Sequence, residues 1–128
     1  MKLLIDTHTF LWLASDVSKL SFTAQQLISN DENEIYLSVA SLWEIAIKLG
    51  LNKLHISKPL DQLVAEQQAA NRILLLAIQP NHALAVQTLP PHHKDPFDRM
   101  LVVQAVAESM RLITHDETLK LYPVQVEW

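Results

Sequence analysis

Short apolar runs of strand length alternate with longer stretches of helical period along the whole chain. The run Lys2–Ile5 is apolar after its lysine and is closed by Asp6, which is how a strand buried on both faces reads. Residues 7–14 place Phe10, Leu11, Leu13 and Ala14 at helical spacing. Ser21 reads as the N-cap of a second helix carrying Ala24, Leu27 and Ile28. A second strand is predicted over 35–38, then a helix over 39–49 that Gly50 is placed to stop. Pro59 opens a helix to residue 70, and 72–78 reads as a third strand. A helix over 80–89, a Pro-rich loop over 90–94 and a long helix from Pro96 to about Ser109 follow. A fourth strand is predicted over 111–114 and a short helix to Leu121. Val124, Val126 and Trp128 alternate as a last edge strand.

Strands separated by helices predict an α/β fold: a single domain over residues 1–128, with a central, mainly parallel sheet flanked by helices on both faces. In that class, ligand sites sit at the carboxyl ends of the strands.

Composition narrows the chemistry. The 128 residues are one domain's worth of chain, and 49% hydrophobic with 19% charged is a buried-core composition. With no cysteine, disulfide scaffolds, thiol nucleophiles and Cys-ligated zinc are excluded. A single glycine excludes a P-loop and a GxGxxG dinucleotide turn. The apolar runs fall far short of the roughly 20 residues that span a bilayer. Asp6 interrupts the amino-terminal run too early for a signal peptide. The expectation is a soluble cytoplasmic protein with no membrane partner. Trp12 and Trp43 read as core residues, or one of them as the lining of a partner groove.

Four acids fall at conspicuous places. Asp6 follows the first strand, Asp116 follows the fourth, and Asp98 lies in the first turn of the long helix. Glu44 interrupts an otherwise apolar helix. Each has a plain alternative. Asp6 and Asp116 also read as N-caps, Asp95 as the cap preceding Pro96, and Glu44–Lys48 as a solvated i,i+4 pair. Their convergence on one sheet edge is what points to a site. Clustered carboxylates repel unless a cation sits among them, and all-oxygen donors suit Mg²⁺ or Mn²⁺. His8 and His115 adjoin two of these acids and read as bystanders, and His92-His93 lacks zinc-ligand spacing.

The chain resembles the PIN-domain ribonucleases, and within them the VapC-like toxins of type II toxin–antitoxin systems. Four blocks, in the family's order, carry the resemblance. They are Leu4-Ile5-Asp6-Thr7-His8, with Phe10 to Leu13; Ser38-Val39-Ala40-Ser41-Leu42-Trp43-Glu44-Ile45-Ala46-Ile47-Lys48; Lys94-Asp95-Pro96-Phe97-Asp98-Arg99-Met100-Leu101; and Leu112-Ile113-Thr114-His115-Asp116. The resemblance implies metal-dependent cleavage of RNA by an activated water, leaving a 5′-phosphate and a 3′-hydroxyl. Asp6, Glu44, Asp98 and Asp116 become the catalytic and metal-binding quartet, with Asp6 and Asp98 the direct ligands and Mg²⁺, or Mn²⁺ in its place, the cofactor. Thr7 and Thr114 would orient carboxylates, while Lys48 and Arg99 would contact phosphate. It further implies a cognate antitoxin and a homodimer.

Three other readings compete with this one. A phosphotransfer receiver domain also has an acidic Mg²⁺ pocket, but it needs adjacent acids after the first strand, where Asp6 is followed by Thr7. A haloacid-dehalogenase-like phosphatase would want an Asp where His8 stands. A catalytically inactive PIN-fold interaction protein would lack one of the four acids, and none is missing. The net charge of −4 is uncommon for a protein that handles RNA. The quartet accounts for all of it, since the remaining ten acids match the ten bases. The expectation is weak RNA affinity without metal and no large basic groove.

Overall fold

The computed structural model describes residues 1–128. Five strands form one all-parallel sheet: β1 Lys2–Ile5, β2 Glu34–Ser38, β3 Leu74–Leu76, β4 Arg111–Ile113 and β5 Val126–Glu127, in the order β3-β2-β1-β4-β5. Six helices surround it: α1 Thr7–Ser15, α2 Phe22–Ser29, α3 Val39–Gly50, α4 Leu60–Asn71, α5 Pro80–Ala85 and α6 Pro96–Ala107. Receiver-type sheets run 2-1-3-4-5, so the strand order already departs from that alternative.

The central strands are buried on both faces, as their continuous apolar runs predict. Successive side chains point to opposite sides. Leu3 and Ile5 join Ile35, Leu37 and Ile113 in a core closed by Phe10, Ile45 and Leu63. Leu4 and Leu112 face the other way, against Leu101, Val102 and Ala105 of α6 and against Tyr122.

Register sets up the site. Ile5 lies opposite Leu37 on one side and Ile113 on the other. The next residues, Ser38, Asp6 and Thr114, therefore form a row across the carboxyl edge. The chain turns from one half of the sheet to the other between β1 and β4, the switch point where open α/β sheets bind ligands.

Several predicted elements differ in extent. The third strand is three residues long, not seven. Arg72 caps α4 at φ 54°, which no strand residue adopts. Beyond Leu76, the Ala77 carbonyl turns to accept from Gln104. Gly50 does not stop α3. Asn52 does, at φ 55°, with Lys53 N–H reaching the Lys48 carbonyl and Asn52 N–H the Leu49 carbonyl. Ser109 ends α6 in the same way, at φ 55°. The predicted 80–89 helix is α5 followed by a 3-10 turn, and the one before Leu121 is also 3-10. A further 3-10 turn at Val17–Lys19 carries no sequence signal that we recognise. Trp43 is not a core residue: it is 60% exposed.

Candidate active site

Asp6 leaves β1 as the N-cap of α1, its Oδ1 accepting from Thr9 N–H at 2.8 Å. Its Oδ2 accepts from the Thr114 hydroxyl, 108 residues away in sequence. That hydroxyl in turn accepts from Asp116 N–H at 3.0 Å, so one threonine ties the ends of β1 and β4 together. Asp6 is 5% exposed.

Glu44 points inward from α3 and is equally buried. Thr7 donates to its Oε1 and Lys48 to its Oε2, each at 2.7 Å. The i,i+4 pair with Lys48 exists, but on the site-facing side of the helix and not on a solvated one. The hydrogen bond to Glu44 raises the Lys48 ammonium above its ordinary value despite partial burial, helped by the charges of Glu44, Asp95 and Asp98. Both threonines, Thr7 and Thr114, therefore hold carboxylates of the cluster.

Asp98 lies in the first turn of α6. Asp95 caps that helix, its Oδ1 accepting from Phe97 N–H and Asp98 N–H at 2.8 and 3.3 Å. Burial, joined by the negative charge of Asp95 and then those of Asp6 and Glu44, pushes the Asp98 carboxyl up to about 7, against an opposing pull from His93. Asp116 behaves differently. Burial works to raise it, but hydrogen bonds from His93 and Thr118 N–H outweigh that and hold it below the usual carboxylate range.

His93 is the residue that sequence reasoning missed. Its Nε2 lies 2.8 Å from Asp116 and 3.4 Å from Asp98. Its Nδ1 accepts from Asp95 N–H at 3.0 Å. An Nδ1 lone pair used this way leaves the proton on Nε2, which makes His93 a donor to Asp116, with Asp98 3.4 Å from the same nitrogen. His93 Nε2, Asp98 and Asp116 lie within 4.8 Å of one another. Because that nitrogen carries a proton, the cation-binding donors of the group are the carboxylate oxygens.

Arg99 does not join the site. Its guanidinium donates to the carbonyls of Val86, Leu89, Pro90 and His93 and to the Tyr122 hydroxyl. These contacts pin the loop that carries His93 and leave no free fork for phosphate. His8 and His115 lie beside the acids without bonding to them. Their rings pack on Trp12, with centroids at 5.8 and 6.4 Å.

The donor set fits a hard divalent cation: carboxylate oxygens, no thiolate and a strained protonation state at Asp98. Ser41 lies one turn before Glu44 on the same face of α3. Its Oγ is the one buried side-chain oxygen or nitrogen without a hydrogen-bond partner.

Comparison with known proteins decides the family. The PIN domain model matches residues 3–124. The chain belongs to the PIN domain family. Among curated proteins it is 28% identical over 118 residues to Ribonuclease VapC22 of Mycobacterium tuberculosis, covering 91% of this chain and 88% of that protein. Its fold is similar to VapBC2 from Rickettsia felis bound to a promoter DNA fragment, with TM-score 0.73 and 16% identity over 100% of this chain and 99% of that one. DNA-bound VapBC from Salmonella typhimurium gives TM-score 0.70 and 16% identity over 99% and 97%. With PIN membership, the receiver and phosphatase readings fall away.

Proposed function

We propose that this PIN domain is an endoribonuclease and the toxin member of a toxin–antitoxin pair. What supports the reading above all is that Asp6 and Asp116 follow two neighbouring strands of a PIN-domain sheet, while Asp6 and Glu44 both act electrostatically on the Asp98 carboxyl. A ribonuclease relative supports RNA as the substrate. Asp6, Asp98, Glu44 and Asp116 would hold Mg²⁺, or Mn²⁺ in its place. When bound, the cation supplies water activation and neutralises charge on a phosphoryl oxygen. Thr114 and Thr7 fix the Asp6 and Glu44 carboxylates. Lys48 balances Glu44 and presents positive charge toward the phosphate. His93 holds Asp116 through its Nε2 proton, with Asp98 beside the same nitrogen.

The partners follow the same reading. Structural neighbours are complexes of such toxins with antitoxins, which supports a cognate antitoxin here. Val39, Trp43, Ile47 and Leu51 repeat every four residues as an exposed apolar stripe along α3 and its C-cap. Trp43, with Phe97 packed edge-on against it at 5.3 Å, also lines an apolar cavity of about 270 Å³. We assign this face to a homodimer contact. No helix is long and apolar enough to cross a membrane, and the working compartment we propose is the cytoplasm.

The decisive experiment is cleavage of total RNA by purified protein with Mg²⁺ or Mn²⁺, with Asp6→Asn and Asp98→Asn alongside. Metal-dependent products from the wild type that vanish in both variants are expected. Cleavage that persists in both would remove the site assignment.

A further inference from the structure

Beside the acidic edge lies a cavity of about 490 Å³ whose wall includes Thr7 and Lys48, the two residues that bond Glu44. Lys19, Lys53, His8 and His55 also line it, and no aspartate or glutamate does. In a chain with more acids than bases, that segregation is local and specific. Most cations here are already committed: Lys48, Lys58, Arg72, Arg111 and Lys120 form ion pairs, and Arg99 is spent on carbonyls. Lys19 and Lys53 make no ion pair and face this one space.

A second feature adjoins it. Trp12 lines the cavity and continues into a row of rings. His8 packs on it at 5.8 Å, Trp128 at 5.8 Å and His115 at 6.4 Å, with His115 and Trp128 5.2 Å apart. His8 and His115 are exposed, and the two tryptophans are half-buried. The row ends at the residue before Asp116. Unpaired lysines beside accessible aromatic faces are what a single-stranded nucleic acid needs: charge for its phosphates and flat surfaces for its bases.

We propose that this cavity and the ring row form the track on which single-stranded RNA reaches the acidic edge. Phosphates lie against Lys19 and Lys53, and bases stack on Trp12 and His115. The inference deepens the nuclease reading and rests on it for the choice of RNA. The lysines favour a polyanion over a peptide, which would leave them without counter-charge unless it were acidic.

Binding, and not cleavage, tests it. The probe is a short labelled single-stranded oligoribonucleotide of mixed sequence, titrated with Ca²⁺ in place of Mg²⁺ at several salt concentrations. Each phosphate contact on a single strand adds about 0.7 to the slope of log affinity against log salt. Lys19→Ala/Lys53→Ala should therefore flatten that slope by about 1.4. Lys2→Ala/Arg72→Ala, which removes equal charge at the amino end of the sheet, should leave it unchanged. Trp12→Leu should weaken binding about five-fold or more. RNA should quench indole fluorescence in Trp43→Phe as in the wild type, and less in Trp12→Phe. Wild-type slope and affinity in the double-lysine variant would overturn the track, as would no measurable RNA binding by the wild type. So would loss of antitoxin co-purification by that variant with RNA binding intact, which would give the cavity to a protein partner. A wild type that binds in this manner yet cuts no RNA would instead count against the nuclease reading alone.

Discussion

Asp98 carries the strain of the site. Its half-buried carboxyl feels the charges of Asp95, Asp6 and Glu44, and at about 7 its protonation falls within the working range of pH. Between the ordinary carboxylate value and about 7, the folded chain keeps a proton that the unfolded chain has lost. Metal-free stability should therefore fall as pH rises through that window. Thermal melts without metal between about pH 5 and 8 should show this decline in the wild type and lose most of it in Asp98→Asn. The same proton opposes cation binding. Mg²⁺ affinity by calorimetry should rise up to about tenfold per pH unit below 7 and then level off. Thr114→Val, which frees Asp6 Oδ2 and Asp116 N–H together, should lower metal affinity or cleavage by about 10–100-fold with the fold intact. The acids at Asp6, Asp98 and Asp116 were legible because strand ends and a first helical turn announce themselves in sequence. The direction of Glu44 was not, because Ser41, Glu44 and Lys48 read equally as a solvated stripe. The bridge from His93 was not legible either, since it joins a loop to an acid 23 residues later.

At the scale of elements, α6 shows how a cap and a proposed ligand can sit three residues apart with separate duties. Asp95 closes the helix start, and Asp98 faces the cluster. Asp95→Ala should cost about 1 kcal/mol in urea unfolding. It should also lower the pH at which metal binding levels off, because the largest like charge on Asp98 is removed. Gln104 performs the corresponding task in mid-helix. It is fully buried, accepts from Ser38 Oγ at 2.6 Å and donates to the Ala77 carbonyl. Gln104→Leu should cost about 1–3 kcal/mol by stranding those groups. Periodicity disclosed each strand and α-helix, and prolines marked the starts of α5 and α6. The ends were harder, because Asn52, Arg72 and Ser109 take left-handed conformations that no glycine advertises.

The molecule as a whole divides its surface by charge and polarity. Acids gather at one edge, free lysines line the adjoining cavity, and an apolar stripe runs along α3. Trp43→Glu should convert a dimer to a monomer in light scattering while circular dichroism stays unchanged. The sequence did not disclose the cavity that Lys19, Lys48 and Lys53 line together with apolar residues of α1, α3 and α4. Net charge averages over the surface, and only the fold brings Lys19 and Lys53 to one wall.

The order of the strands also sets when the acidic edge can assemble. β1 is made first, yet its partner β4 and the Thr114–Asp6 bond arrive more than a hundred residues later. A nascent chain holding only the β1–β3 half of the sheet exposes one flank of β1 and lacks Asp98, Asp116 and their supports. Domains fold as units while they are synthesised. The ribosome that makes this chain therefore faces no assembled cutting edge until the last quarter of the sequence has emerged.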